Sequence, residues 1–244
     1  VLEIYDDTNM LVQRVKGKNS AGFHRVSWDL GMASQGVINP DRLRSGGWGG
    51  MMALPGTYSA KLVSLKNGEM NQLGELVSFE VKPLREGALK GKSLAEIKAF
   101  RTDLINFQNQ ISLANNALGN SMKEVAAMKV ALTRSGKPDA SLMKDLHDAE
   151  MSLKALDSKM NGNLAKRELQ DNMAPTINDR IGAAYSGAMG TYGPTGMQKS
   201  ALEAGKEEFT PLEAELMKLT KTTIPALSSR LKANGAPPIE GLDN

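Results

Sequence analysis

The sequence predicts an α+β protein: an antiparallel β-sandwich followed by an all-α antiparallel bundle of three or four helices. Two observations carry that prediction. From Val1 to about Pro83 the apolar residues recur at every second position in short runs, and from Ser93 onward they recur in steps of three and four. At 244 residues the chain is long enough for each part to bury a core of its own. The expected domains are residues 1–83, a linker at 84–92, and a long-helix region with an extended tail at 93–244.

The strands are read in chain order. "VLEIYD" alternates, "MLVQRVKG" is a short apolar run ended by Gly17, and "FHRVSWDL" alternates through Phe23, Val26 and Trp28. "GTYSAKLVSL" alternates through Tyr58, Ala60 and Leu62, and "GELVSFEVKP" sets Val77, Phe79 and Val81 against Leu76, Ser78 and Glu80. Asp6-Asp7, Gly17, Gly31, Pro55-Gly56 and Asn67-Gly68 supply the turns between them. Short alternating strands at this spacing predict an antiparallel sandwich.

The first helix opens at a capping box, Ser93 with Glu96, and carries Leu94, Ile97, Phe100, Leu104, Phe107, Ile111, Ala114, Leu118, Met122, Val125, Met128 and Leu132. At 1.5 Å per residue this stripe is ~55–60 Å long. Gly136 and Pro138 end it. A second helix follows with Leu142, Leu146, Ala149, Leu153, Leu156 and Met160, stopped by Gly162. A third, around Met173, Ile177, Ile181 and Tyr185, is weakened by Pro175 and nearby glycines. The fourth starts near Thr195 and carries Phe209, Leu212, Leu216 and Leu219, then Ile224, Leu227 and Leu231. Pro211 and Pro225 each start a helix or kink one.

Composition narrows the function. Thirty basic and 27 acidic residues are interspersed rather than clustered, which argues against a nucleic-acid footprint. The chain has no cysteine, so disulfides, thiolate metal sites and cysteine nucleophiles are excluded. No apolar run approaches the ~20 residues that span a bilayer. Because the chain opens on Val1 within a strand, it is expected to be a fragment or processed product with any signal peptide upstream.

Several residues invite a chemical reading. His24, Trp28 and Asp29 fall within six positions, but alternation puts 24, 26 and 28 on one face and 29 on the other. The expectation is Trp28 or Val26 in the core, Asp29 in the following turn and His24 on the exposed side. His147, with Asp148 and Glu150 nearby, lacks a metal-ligand spacing and reads as a solvated helix face. Asp6-Asp7 reads as a turn, Glu207-Glu208 as surface, and the 14 methionines as core filler, so no catalytic residue, metal or cofactor is assigned. "SGGWGGMMALPG", residues 45–56, is different: four glycines surround Trp48, and Met51 and Met52 follow. Trp48, Met51 and Met52 are the candidate interaction residues, the alternative being a Trp48 that packs back on its own sandwich.

The stretch "VLEIYDDTNMLVQRVKGKNSAGFHRVSWDL", followed by "LPGTYSAKL", resembles the Ig-like or fibronectin-type module of the flagellar hook-capping protein and of many secreted bacterial proteins. Gly22, His24, Val26, Trp28, Asp29, Pro55, Gly56, Tyr58 and Leu62 carry the likeness, while Asn9 stands where the pattern has Gly. The helical half, with its "GPT" turn and the ending "IPALSSRLKANGAPPI", is similar to the C-terminal region of sortilin-like, Asp-box β-propeller proteins of Bacteroidetes, often classed as glycosyl hydrolases. The Asp-box hairpin itself is absent from the sequence.

That resemblance implies a non-catalytic structural or interaction region of a larger secreted, periplasmic or outer-membrane-associated protein. Its partner would be the β-propeller of the same protein or another envelope protein, with no nucleic acid and no membrane span. The alternative is an accessory part of a glycoside hydrolase whose loop at Trp48 contacts carbohydrate.

Overall fold

The computed structural model describes residues 1–40, 43, 50–85, 90–163, 166, 168–169, 174–190 and 192–241. It contains a small antiparallel sheet and a set of long helices, and so a mixed α+β fold. Two compact units are present, Val1–Ile105 with Gly187–Pro194, and Asn106–Ser186 with Thr195–Asn244.

In the first unit, β1 (Leu2–Tyr5), β2 (Leu11–Val15), β3 (Gly56–Lys66), β4 (Glu69–Gln72) and β5 (Val77–Val81) form one sheet. β1 lies between β2 and β3. The other edge of β3 takes β5 along Gly56–Ala60 and β4 along Val63–Lys66, so the chain returns along β3 in two pieces. Asp6 closes the β1–β2 turn by accepting from the amides of Thr8 and Met10, at 2.9 and 3.0 Å. Asn9 sits there at φ 60, a left-handed position that asparagine tolerates in place of glycine.

Residues 23–30, predicted as a strand, form no ladder. Of their apolar side chains only Trp28 and Leu30 reach the core, while Phe23 and Val26 stay exposed. Alternation here does not correspond to a buried face. The chain instead turns at Asp29, whose carboxylate accepts from Gly31 N at 2.9 Å, and then lies between two neighbours. Ala33 N donates to Val12 O, Met32 N to Met51 O, and Ala53 N to Leu30 O, all within 3.0 Å.

The helices are α1 (Leu94–Thr133), α2 (Ala140–Asn161), α3 (Ile177–Met189), α4 (Gly196–Lys218) and α5 (Ile224–Ala233), the last two joined by a π-helical turn at Leu219–Thr223. α1 begins where Ser93 Oγ accepts from Glu96 N, as its capping sequence predicts. Along its stripe Leu94 is exposed and Met122 half-buried, and Ser121 takes the interior place beside Leu118 and Val125. Asp139 caps α2, and Gly162 ends it at φ 85. The six predicted α2 residues, Leu142, Leu146, Ala149, Leu153, Leu156 and Met160, are its buried ones. α3 starts at a reciprocal pair, Thr176 with Asp179, immediately after Pro175. Met173, expected within the third helix, lies outside the described residues.

The two prolines settle differently. Pro211 is inside α4, whereas Pro225 occupies the first turn of α5. Proline has no N–H and its ring crowds the carbonyl four residues earlier. The π turn relieves that conflict at Pro225, because Ile224 N reaches back five residues to Leu219 O.

In the second unit, side-chain pairs fix helix direction. Lys129–Glu150 and Asn115–Asn161 set α2 antiparallel to α1. Arg180–Glu208 and Ser186–Gln198 do the same for α3 and α4, and Arg230–Asp145 holds α5 against α2. Phe107 meets Phe209 edge to face at 5.6 Å, and a Cβ at Gly205 would come within 3.2 Å of the Phe107 ring.

Hydrogen bonds from Lys129 and Lys154 lower the Glu150 pKa from 4.5 to about 2. A carboxylate whose folded pKa is depressed stabilises the fold above its unfolded pKa, and that contribution fades as pH falls toward the folded value. The stability advantage of the native chain over Glu150→Gln is therefore expected to be full at neutral pH and to shrink between pH 4.5 and about 2, read from urea midpoints across that range.

Candidate interaction surface

One face of the sheet is apolar, and cross-strand pairing shows how far it extends. Directly paired residues share a face, so Leu2 with Leu62, Ile4 with Ala60, Tyr58 with Phe79, Ala60 with Val77 and Gly56 with Val81 all lie on the same side. At the Tyr58 end this face is covered. Trp28 stands edge-on to Tyr58 at 5.4 Å and to Phe79 at 6.2 Å, and Leu30 and Met32 join the same core. Trp28 Nε1 donates to Gly31 O at 2.8 Å, and the Tyr58 hydroxyl donates to Leu54 O at 2.7 Å.

At the other end the cover stops. Leu62 is 47% exposed and Val77 63%. Leu73, whose amide donates to Leu62 O at 2.9 Å, is 60% exposed. Three exposed apolar side chains on one face of the sheet are more than the scattered singletons of an ordinary surface, and patches of this kind mark contact sites.

The residues singled out from sequence are placed as follows. Trp48 lies outside the described residues. Met51 is 6% exposed and lies in the interior, in a segment whose Gly50 runs so close to Met32 that a Cβ there would meet Met32 O at 1.6 Å. Met52 is 53% exposed and its carbonyl is held by Arg101. Trp28 is half-buried, Asp29 is in its turn and His24 is exposed, with its ring near Ser20. His147, Glu207 and Glu208 are exposed on helices, and Glu208 pairs with Arg180 through two bonds. Among the described residues no group of three His, Asp or Glu side chains is arranged to hold a metal.

Sequence reading missed Leu62, Leu73 and Val77 because alternation assigns Leu62 and Val77 to a core face without saying where the cover ends. It also missed Arg101, a buried cation on α1 that counts as surface in the helical stripe. Its Nε donates to Ala188 O at 2.9 Å and its Nη1 to Met52 O at 2.7 Å. Burial lowers its pKa, and the two carbonyls stand in for a carboxylate partner.

No family model, curated protein or solved structure gives a match to this chain. No described helix is long and apolar enough to cross a membrane.

Two predictions follow from this geometry. Arg101→Met leaves the Met52 and Ala188 carbonyls without their donor and is expected to destabilise the chain by about 2–5 kcal/mol, with Arg101→Lys recovering part of the loss, by urea unfolding. Leu30 adopts φ 63, a costly position for a branched side chain. Leu30→Gly is expected to be at least as stable as Leu30→Ala, reversing the roughly 0.5–1 kcal/mol penalty that glycine normally carries.

Proposed function

We propose that this chain is a non-catalytic interaction region of a larger secreted or cell-envelope protein, docking through its sheet to a β-propeller of the same protein or to a partner at the envelope. In this reading the first unit is a variant of the Ig-like, fibronectin-type sandwich and the helices form an antiparallel bundle. The observation that carries the proposal is the half-covered apolar face at Leu62, Leu73 and Val77. Leaving these side chains in water forfeits on the order of 1 kcal/mol or more each, and a docked partner recovers it.

Two further observations support the fold assignment. Trp28 packs on the core of the sheet, as the tryptophan of Ig-like domains does, and the Tyr58 hydroxyl bonds back to a carbonyl four residues upstream, similar to a tyrosine corner. Both residues belong to the "W-D … P-G-x-Y" pattern on which the resemblance rests.

The test uses the remainder of the parent polypeptide, purified separately and titrated with this chain by calorimetry. Leu62→Thr, Leu73→Ser and Val77→Thr together are expected to weaken binding by at least about tenfold while the circular dichroism spectrum and unfolding midpoint stay near those of the native chain. Unchanged affinity in the folded triple variant sinks the proposal.

A further inference from the structure

The sequence contains three Asn–Gly dipeptides, at 67–68, 161–162 and 234–235. Glycine offers no side chain to block its own backbone nitrogen, so this pair is the one most prone to cyclise on the asparagine side chain. The fold treats the three very differently.

At 161–162 both reacting groups are held. Asn161 Nδ2 donates to Asn115 Oδ1 at 3.0 Å and to Asp157 Oδ1 at 2.7 Å, its Oδ1 accepts from Asn178, and Gly162 N donates to Ser158 O at 2.9 Å. At 234–235 the glycine nitrogen donates to Lys232 O at 3.0 Å, and Asn234 N is bonded to the end of α5. Asn67 and Gly68 instead form the exposed two-residue turn between β3 and β4, with φ of 53 and 84, the left-handed pair that such hairpins demand. β4 has only four residues, all exposed, and opening that end of the hairpin disturbs little buried surface.

We infer that Asn67 is a site of spontaneous deamidation in the folded protein, selected from the three by its place at the hairpin tip. On opening, the Gly68 backbone nitrogen loses its proton to solvent base and attacks Asn67 Cγ. A carbon–nitrogen bond forms there, the side-chain amide nitrogen leaves as ammonia, and a cyclic succinimide remains. Water then adds to one of its two carbonyls and opens the ring to aspartate or to isoaspartate. No oxidant or reductant takes part. Either product adds a negative charge between Lys66 and Glu69, and isoaspartate also lengthens the backbone, so the Lys66–Glu69 pair no longer closes on a two-residue turn.

The experiment ages the folded chain in mildly alkaline buffer, with a parallel sample unfolded in guanidinium chloride, and follows the amide-to-acid conversion at each Asn–Gly pair by peptide mass mapping. In the folded chain Asn67 is expected to convert first, with Asn161 and Asn234 lagging by roughly tenfold or more, and in the unfolded chain the three rates should converge. Equal rates at all three sites in the folded chain, or an Asn67 slower than either of the others, overturns the inference.

Discussion

The register of the sheet is set by β3. At eleven residues it is, among the described strands, the one that pairs with three others, and it fixes β1 on one edge and β4 and β5 in sequence on the other. Its alternation puts Tyr58 and Ala60 on the core face and Lys61 on the opposite one, and those assignments propagate across each ladder. Tyr58 then anchors the core, because Trp28 and Phe79 both pack on its ring and Leu54 O receives its hydroxyl.

The opposite face adds a second lock on the same register. Glu3 is buried, and it is directly paired with Arg14 on β2 and with Lys61 on β3. Arg14 Nε lies 2.9 Å away and Lys61 Nζ 3.7 Å. The Tyr5 hydroxyl bond, against the desolvation of burial and with help from Arg14 and Lys61, keeps this carboxyl below its usual pKa. A buried carboxylate tolerates no unpaired state, so a one-residue slip of β1 would both expose Ile4 and strand Glu3. The pair is therefore better understood as specifying the register than as supplying stability.

How much of this was legible follows from what each signal encodes. Helix spans were readable because capping side chains and glycine stops act locally: Ser93 and Thr195 start helices by accepting from the amide three residues on, whatever the tertiary fold, and Asp139, not singled out from sequence, starts α2 in the same way. β3 and β5 were readable because Tyr58, Phe79 and Val81 turn to the core at one end of their ladder, although Leu62 and Val77, on the same face by alternation, stay exposed. Residues 23–30 alternate equally well but fold as a loop, since period two records only that side chains point opposite ways and not that a partner edge exists. The interaction residues were the hardest. Met51 and Met52 are adjacent in sequence, yet one is interior and the other exposed, because successive side chains of the extended segment bonded to residues 30–32 point opposite ways.

The exposed half of the apolar face follows from the same fastening. The covering segment is tied on one side to β2 through Ala33 and on the other to residues 51–53 through Leu30 and Met32. Arg101 holds Met52 O in turn. With both flanks bonded, Trp28, Leu30 and Met32 reach Ile4, Tyr58 and Phe79 but extend no further along β3. Leu62 and Val77 are then apolar by strand alternation and uncovered by topology. Sliding the cover toward them would break the bonds at Val12 and Met51 and expose Tyr58, a larger loss than the gain. The exposure is thus built into the way the sheet unit closes, and relieving it requires a surface from outside that unit's own cover.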